Sequence, residues 1–341
     1  YPCQEVGGLI LAYLGPGKPP LLPPYEFLTA PESHRFATKA FHDCNFLQSN
    51  EGNIDQAHVS FLHRFFGRAD QESSYIESDT SPALEPIETD FGLRIYNIRK
   101  AEPGRQYVKI SNFILPNFAA VPGGSRGDGY TVNWHVPIDD THHWKYVVTF
   151  RRNVALNVEQ IRRNRSELIE RSGFGRQYGD RAEVRPLNER SDERSGFGRQ
   201  WRQYGDVAEV RPLNDGYHLV RSKANRYLQD REEMKTRTFL GLGSGFQAHD
   251  ALATEGAGPI QDRTQEHLGY TDRVIVAHRQ LLQRAMKDVE EGRDPPHVIR
   301  DPAANEPPEI VVRTDVIPTD VPWLDYWRNP ALGRSPAPVG R

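Results

Sequence analysis

LRIYNIRK at 93–100, QYVKISNFILP at 106–116, YTVNWHVPI at 130–138 and HWKYVVTFR at 143–151 follow one another, with breaks that carry Gly, Pro and Asp. Each run is short and rich in β-branched and aromatic residues, which fit a pleated, half-buried surface better than a helix. Four such runs predict an antiparallel meander. Downstream, residues 271–291 read as the clearest helix, opened by Thr271 or Asp272 and stopped at Gly292, with Val274, Leu281, Leu282, Ala285 and Val289 as an apolar stripe that packs on the sheet.

Upstream, EVGGLILAYLG reads as a strand that leads into GPGKPPLLPPYEF, a stiff connector and plausible domain boundary. Phe41 to Phe66 reads as helical, with Phe46, Leu47, Ile54, Val59, Leu62 and Phe66 on its apolar face. Beyond residue 293 prolines are frequent, and VPWLDYW is expected to strap the tail against the body or a neighbouring subunit, ahead of frayed last residues. ERSGFGRQ occurs at 170–177 and 193–200, and QYGDRAEVRPLN at 177–188 returns as QYGDVAEVRPLN at 203–214. One duplication is not a solenoid, and its arginines alternate with acids, so a surface insertion is the reading.

The 341 residues carry 43 Lys and Arg against 46 Asp and Glu, a net charge of 43 − 46 = −3, which argues against nucleic-acid binding by bulk charge. Hydrophobic residues at 37%, with 5 Trp, 14 Tyr and 15 Phe, suffice for a sizeable core. No apolar run approaches the ~20 residues of a membrane span, so a soluble protein is expected. Two cysteines, Cys3 and Cys44, are too few for an all-thiolate zinc site and point to ordinary packed thiols in a reducing cytoplasm. The chain opens on Tyr1 inside an apparent strand, as expected of a fragment that lacks its N-terminal part.

Chemistry concentrates in NFLQSNEGNIDQAHVSFLHR at 45–64. Asp55 and His58 share a face of a regular helix, but His63 falls about 140° round from His58, so both imidazoles reach one ion only if the helix bends or ends between them. QAHDALATEGAGPIQDRTQEHLGYTDR at 247–273 supplies acids. Two histidines and one carboxylate on one face of an ion, with other positions open, suit a non-haem ferrous iron that must admit dioxygen beside a substrate. Asp250 is the candidate third ligand, with Asp262 and Glu266 as alternatives.

YPCQEVGGLILAYLGP, CNFLQSNEGNIDQAHVSFLH, VPIDDTHHW and HDALATEGAGPIQDRTQEHLGYTD together resemble the large subunit of Rieske non-haem iron aromatic-ring-hydroxylating oxygenases, nearest the phthalate 4,5-dioxygenase-like branch. The resemblance implies an α+β helix-grip catalytic domain, a curved antiparallel sheet around a long C-terminal helix, over residues 21–300. Residues 1–20 would end a truncated Rieske domain, and 301–341 would form a Pro-rich tail. It implies iron ligands His58, His63 and Asp250, a bridging Asp55 between that iron and a neighbouring subunit's cluster, Asn45 close to the iron, and Glu51 opening the ligand helix. Where the family commonly has Gln before the aspartate, this chain has His249. The Cys-x-His and Cys-x-x-His pairs that hold a Rieske [2Fe–2S] cluster do not occur in the sequence. The chain as given is therefore expected to bind mononuclear iron only, and the complete protein both.

The implied activity is hydroxylation of an aromatic, carboxylated or aryl-ether substrate with dioxygen and two electrons. The implied partners are a reductase and further copies of the chain, a trimer by family analogy. Arg94 and Arg99 are candidates to face a substrate carboxylate, against the simpler reading of surface arginines. GLGSGF at 241–246 lacks the strand–helix context of a nucleotide loop, SRGDGY reads as a hairpin turn, and IDDTHHW at 138–144 as a corner between strands. Two other classes compete: a non-catalytic module that holds a hydrophobic ligand without iron, and a metal-dependent hydrolase with Asp55 as base. His58, His63 and Asp250 together speak against the first, and the breadth of the match against the second.

Overall fold

A computed structural model of the chain describes residues 1–66, 71–123, 128–159, 221–243 and 246–329. The duplicated segment and the last residues of the tail lie outside the described residues. An antiparallel sheet dominates, built from β3 (Arg35–His42), β4 (Ala83–Glu88), β5 (Gly92–Lys100), β6 (Arg105–Ile114), β7 (Phe118–Val121), β8 (Gly129–Pro137) and β9 (His143–Arg151) after a small hairpin of β1 (Cys3–Val6) and β2 (Leu9–Ala12). The strand order is β3-β9-β8-β7-β6-β5-β4, and β10 (Arg313–Pro318) pairs with the first half of β6. The helices that matter for the site are α1 (Phe46–Ile54), α2 (Phe246–Gly256) and α3 (Arg273–Glu290).

Side chains alternate across a strand, so pairing register decides what each face carries. Leu93, Ile95, Asn97 and Arg99 of β5 share a face with Ser111 and Phe113 of β6, and through the ladder with Asn133 and His135 of β8 and His143 and Lys145 of β9. Its apolar half takes the helices: Leu93, Ile95, Phe113 and Ala119 pack with Ile54 of α1 and Val274, Leu281 and Ala285 of α3. The sheet therefore grips the C-terminal helix. On the opposite face Ala120, Tyr130, Val132, Val148 and Phe150 are buried with Tyr25, Phe27 and Leu28, against which the β1–β2 hairpin leans through Leu9 and Leu11. Tyr96, Val108 and Ile110 are buried on that face beneath Trp323, Tyr326 and Trp327. Both faces being covered explains why β5 is buried along nearly its whole length.

Several expectations are corrected. The helix read from Phe41 to Phe66 is three pieces: the end of β3, then α1, then a 3₁₀ turn at His58–Ser60. Glu51 does not open α1; Asn45 caps it, and Glu51 lies in its second half. The opening strand is a hairpin that turns at Gly7 and Gly8, both at positive φ, and a Cβ on Gly7 would meet Leu28 at 2.6 Å. Val289 is exposed rather than on the packed stripe, where buried His278 stands with Val274, Leu281 and Ala285. Cys44 is buried, but Cys3 is exposed and not a packed thiol. Helix α3 ends before Gly292, whose φ of 73° is the left-handed stop expected there. The aromatic tail does strap the body: Trp323 packs on Tyr96, and Trp327 donates its indole N–H to the Tyr96 hydroxyl. No helix among the described residues is long and apolar enough to cross a membrane.

Candidate metal centre

Two backbone events bring the site together. Asn45 starts α1 by accepting the Leu47 N–H at 2.9 Å, which satisfies one of the donors a helix start leaves open. At the other end Asp55 leaves helical geometry with ψ 117°, and its Oδ1 accepts the Ala57 N–H at 2.7 Å. The helix thus ends at Asp55, ahead of both histidines, and a 3₁₀ turn at His58–Ser60 carries the chain on from one to the other. With no continuous helix between them, two histidines five residues apart can converge. Asp250 arrives from α2, one turn in from its start.

The three donor atoms form a compact triangle: His63 Nε2 to Asp250 Oδ1 is 2.9 Å, His58 Nε2 to His63 Nε2 is 3.2 Å, and His58 Nε2 to Asp250 Oδ1 is 3.7 Å. Two N or O ligands at right angles, each ~2.1 Å from an ion, stand about 3.0 Å apart. The residues present therefore fit a single metal ion on one face of its coordination sphere, with nothing but imidazole and carboxylate as donors. Among the described residues this is the one such group. Asp262 and Glu266 are not part of it: Asp262 accepts the Thr264 N–H at 3.0 Å, and Glu266 pairs with Arg279 at 2.7 Å.

A further polar group stands behind each histidine. Asp55 Oδ2 lies 3.4 Å from His58 Nδ1, so His58 presents Nε2 to the centre. His249 Nε2 lies 3.1 Å from the Gly243 carbonyl, which can only accept, so its Nδ1 is left to accept the Nδ1–H of His63 at 3.3 Å. His63 Nε2 then carries a lone pair toward Asp250. This relay is the kind of outer contact that orients ligands and raises their basicity. Phe246 stacks on His63 with ring centroids 3.4 Å apart. Arg99, wholly buried, donates to Ser60 Oγ at 3.0 Å and to the Gln56 carbonyl at 2.8 Å, which ties the His58 turn to β5.

Charge follows the same plan. Burial pushes the His63 pKa down to about 4, over the opposing pull of Asp250, so the ring is neutral near pH 7. Burial works against ionisation of Asp250, yet His63, Lys145 and His58 outweigh it and hold the carboxyl well below the usual range. For Asp55 burial is likewise outweighed, by its bonds to His58 and the Ala57 N–H, and its pKa is lowered. A neutral imidazole and an ionised carboxylate are the ligand states a cation requires.

Beside the triangle opens a cavity of about 180 Å³ lined by His42, Asn53, Leu62, His135, Lys145 and Thr254 together with Asp55, His58 and Asp250. Two expected site residues lie elsewhere. Asn45 is spent on its cap and on the Asp140 carbonyl at 2.8 Å, at the far end of α1 from Asp55. Arg94 is buried on the opposite face of the sheet, where it bonds Glu309 and sits 4.8 Å from the Trp327 ring. Asn53, His135 and Lys145 were missed, although His143 and Lys145 alternating with Trp144 and Tyr146 is a period-two signal of a polar inner face.

Fold and site together define a class, a helix-grip domain with a two-histidine, one-carboxylate donor set beside a polar-walled cavity. The chain matches the model of the LigXa C-terminal domain-like family over residues 12–171 and 189–332, and belongs to that family. It is 27% identical to the oxygenase subunit of phthalate 4,5-dioxygenase from Pseudomonas putida, over 96% of this chain and 67% of the relative. It is 26% identical to the oxygenase subunit of 3-chlorobenzoate-3,4-dioxygenase from Comamonas testosteroni, over 87% and 64%. Among solved structures, the terminal oxygenase of carbazole 1,9a-dioxygenase from Novosphingobium sp. KA1 aligns at TM-score 0.40 and 16% identity over 88% of this chain and 68% of its own. The chain spans about two thirds of the length of these relatives. Its resemblance to the catalytic part of Rieske-type oxygenase large subunits is thereby shown.

Proposed function

We propose that the chain is the catalytic part of an oxygenase component that holds one Fe(II) on His58, His63 and Asp250 and hydroxylates an aromatic substrate, using dioxygen and two electrons. The observation that carries this reading is the donor triangle with both imidazoles oriented from behind, in a member of a family whose curated relatives are oxygenase subunits. Iron in this set supplies the activation of dioxygen next to the substrate. The chain's own residues do the rest. Asp55 and His249 stand behind the two imidazoles and turn Nε2 of each toward the centre, and Arg99 holds the turn that carries His58. The cavity wall of Asn53, Leu62, His135 and Lys145 seats the ring against the donor set.

Asp55 has a further role in this reading. Its carboxylate is 23% exposed and touches a ligand imidazole, so it offers a polar path for an electron from the Rieske [2Fe–2S] cluster of a neighbouring subunit. That cluster belongs to the complete protein, in a cytoplasmic homo-oligomer, a trimer by analogy, fed by a reductase. The test is product analysis. The complete component, with reductase and ¹⁸O₂, is expected to convert an aromatic carboxylate to a hydroxylated product that carries the label, and His58→Ala to abolish it. Product free of label, or turnover unchanged in the variant, would overturn the reading.

A further inference from the structure

Lys145 projects from β9 onto the helix-bearing face of the sheet and is 3% exposed, yet it lines the cavity beside Asp250. Its ammonium makes no hydrogen bond or ion pair with any described residue. A buried ammonium without an acceptor is costly, and three donors are left to be satisfied. Its polar neighbours His135, His143, Asn53 and Asn133 are already committed to one another and to the backbone. Directly across the ladder from Lys145 stands His135. The Cys44 carbonyl, which can only accept, lies 2.8 Å from His143 Nδ1, so His143 Nε2 accepts the Nδ1–H of His135 at 3.0 Å. His135 Nε2 in turn takes a hydrogen from the Asn53 amide. Asn53 Oδ1 accepts from Asn133 at 3.0 Å.

This chain of bonds runs to completion without reaching Lys145, and it leaves the imidazoles neutral. Burial first, then the mutual repulsion of these groups and Lys145, lowers the pKa of His42 and of His135. Asp250 attracts Lys145 but forms no ion pair with it, and its oxygen is engaged by His63 at 2.9 Å. The cavity thus offers one cation whose ammonium is unpaired, while its two carboxylates, Asp55 and Asp250, are engaged by His58 and His63.

We propose that Lys145 is the specificity-determining residue of the pocket, binding a carboxylate carried by the aromatic substrate and so fixing the ring beside the donor set. The inference rests on the proposed aromatic substrate and names the group by which it is held. Leu62 and the methylene stem of Lys145 supply apolar wall for the ring, and the ammonium supplies a charge-assisted bond that a neutral analogue cannot use.

The experiment compares benzoate with its neutral isostere benzamide on the full 341-residue chain, by calorimetric titration of wild type, Lys145→Met and Lys145→Arg, with iron content read separately. Benzoate is expected to bind wild type, and to bind Lys145→Met about 10- to 100-fold more weakly. Benzamide binding should be indifferent to that change, and Lys145→Arg should retain preference for the anion. Thermal melting supplies a second reading: the free Lys145→Met protein should melt no lower than wild type, because it loses an unpartnered buried charge, and benzoate should raise the wild-type midpoint only. Equal benzoate affinity in wild type and Lys145→Met would overturn the proposal, as would a wild-type preference for benzamide. Loss of iron with retained benzoate selectivity would sink the oxygenase reading and leave the anion site standing.

Discussion

A single side chain can be read two ways, and Asn45 shows how the structure decides. Resemblance placed it near the iron, but its Oδ1 accepts the Leu47 N–H and its amide reaches the Asp140 carbonyl, so both ends of the group are spent on starting α1. Asn45→Ala should therefore cost about 1 kcal/mol of stability, measured by denaturant unfolding, and leave Fe(II) affinity within about twofold. A variant of full stability that lost iron would restore the catalytic reading. Asp55, His58 and His63 were legible because their residue types and short spacing are chemically suggestive. What the spacing could not reveal was which turn of backbone would reconcile them. His249 stood out in sequence only as a departure, and its role appears once its Nδ1 is seen 3.3 Å from that of His63.

Between elements, α1 and α3 are tied by a four-membered ion network that no motif announced. Glu51 accepts from Arg279 at 2.7 Å and from Arg263 at 2.8 Å, and Glu266 joins the same two arginines. The Arg279 bond acts first, ahead of the opposing cost of burial, and holds Glu266 below its usual pKa of 4.5. A lowered folded-state value means that the stabilisation is complete above the unfolded pKa and is lost as pH falls through the folded one. Glu266→Gln should accordingly lower the melting midpoint at pH 7, by about 1–2 kcal/mol in stability. The gap from wild type should narrow progressively below pH 4.5, and a gap constant with pH would refute the ionic account. The strands that sequence reading missed have physical reasons too. Pro86 lies inside β4, where a ladder donor is lost, β7 is only four residues long, and Phe41 and His42 at the end of β3 run straight into the cap of α1.

For the molecule as a whole, the four strands around which the sheet is built and the helix it grips were legible, because both their periodicity and their stop signals are strong. The order of strands was not, since β3 and β10 come from opposite ends of the chain and their pairing depends on tertiary contact. The same holds for the site. His58 and Asp250 are 192 positions apart and meet only when α1 and α2 are both docked, so the donor set is a property of the assembled fold. Arg94 illustrates the converse: strand alternation gives two faces, and only the packing of Trp327 and Glu309 shows that its face is the one turned from the cavity. The most direct test is an anaerobic Fe(II) titration against a competing chelator, with the fold monitored by circular dichroism. The account predicts about one iron per chain in wild type and an affinity more than about 100-fold lower in folded Asp250→Ala. Undiminished iron binding in that variant, or none in folded wild type, would contradict it.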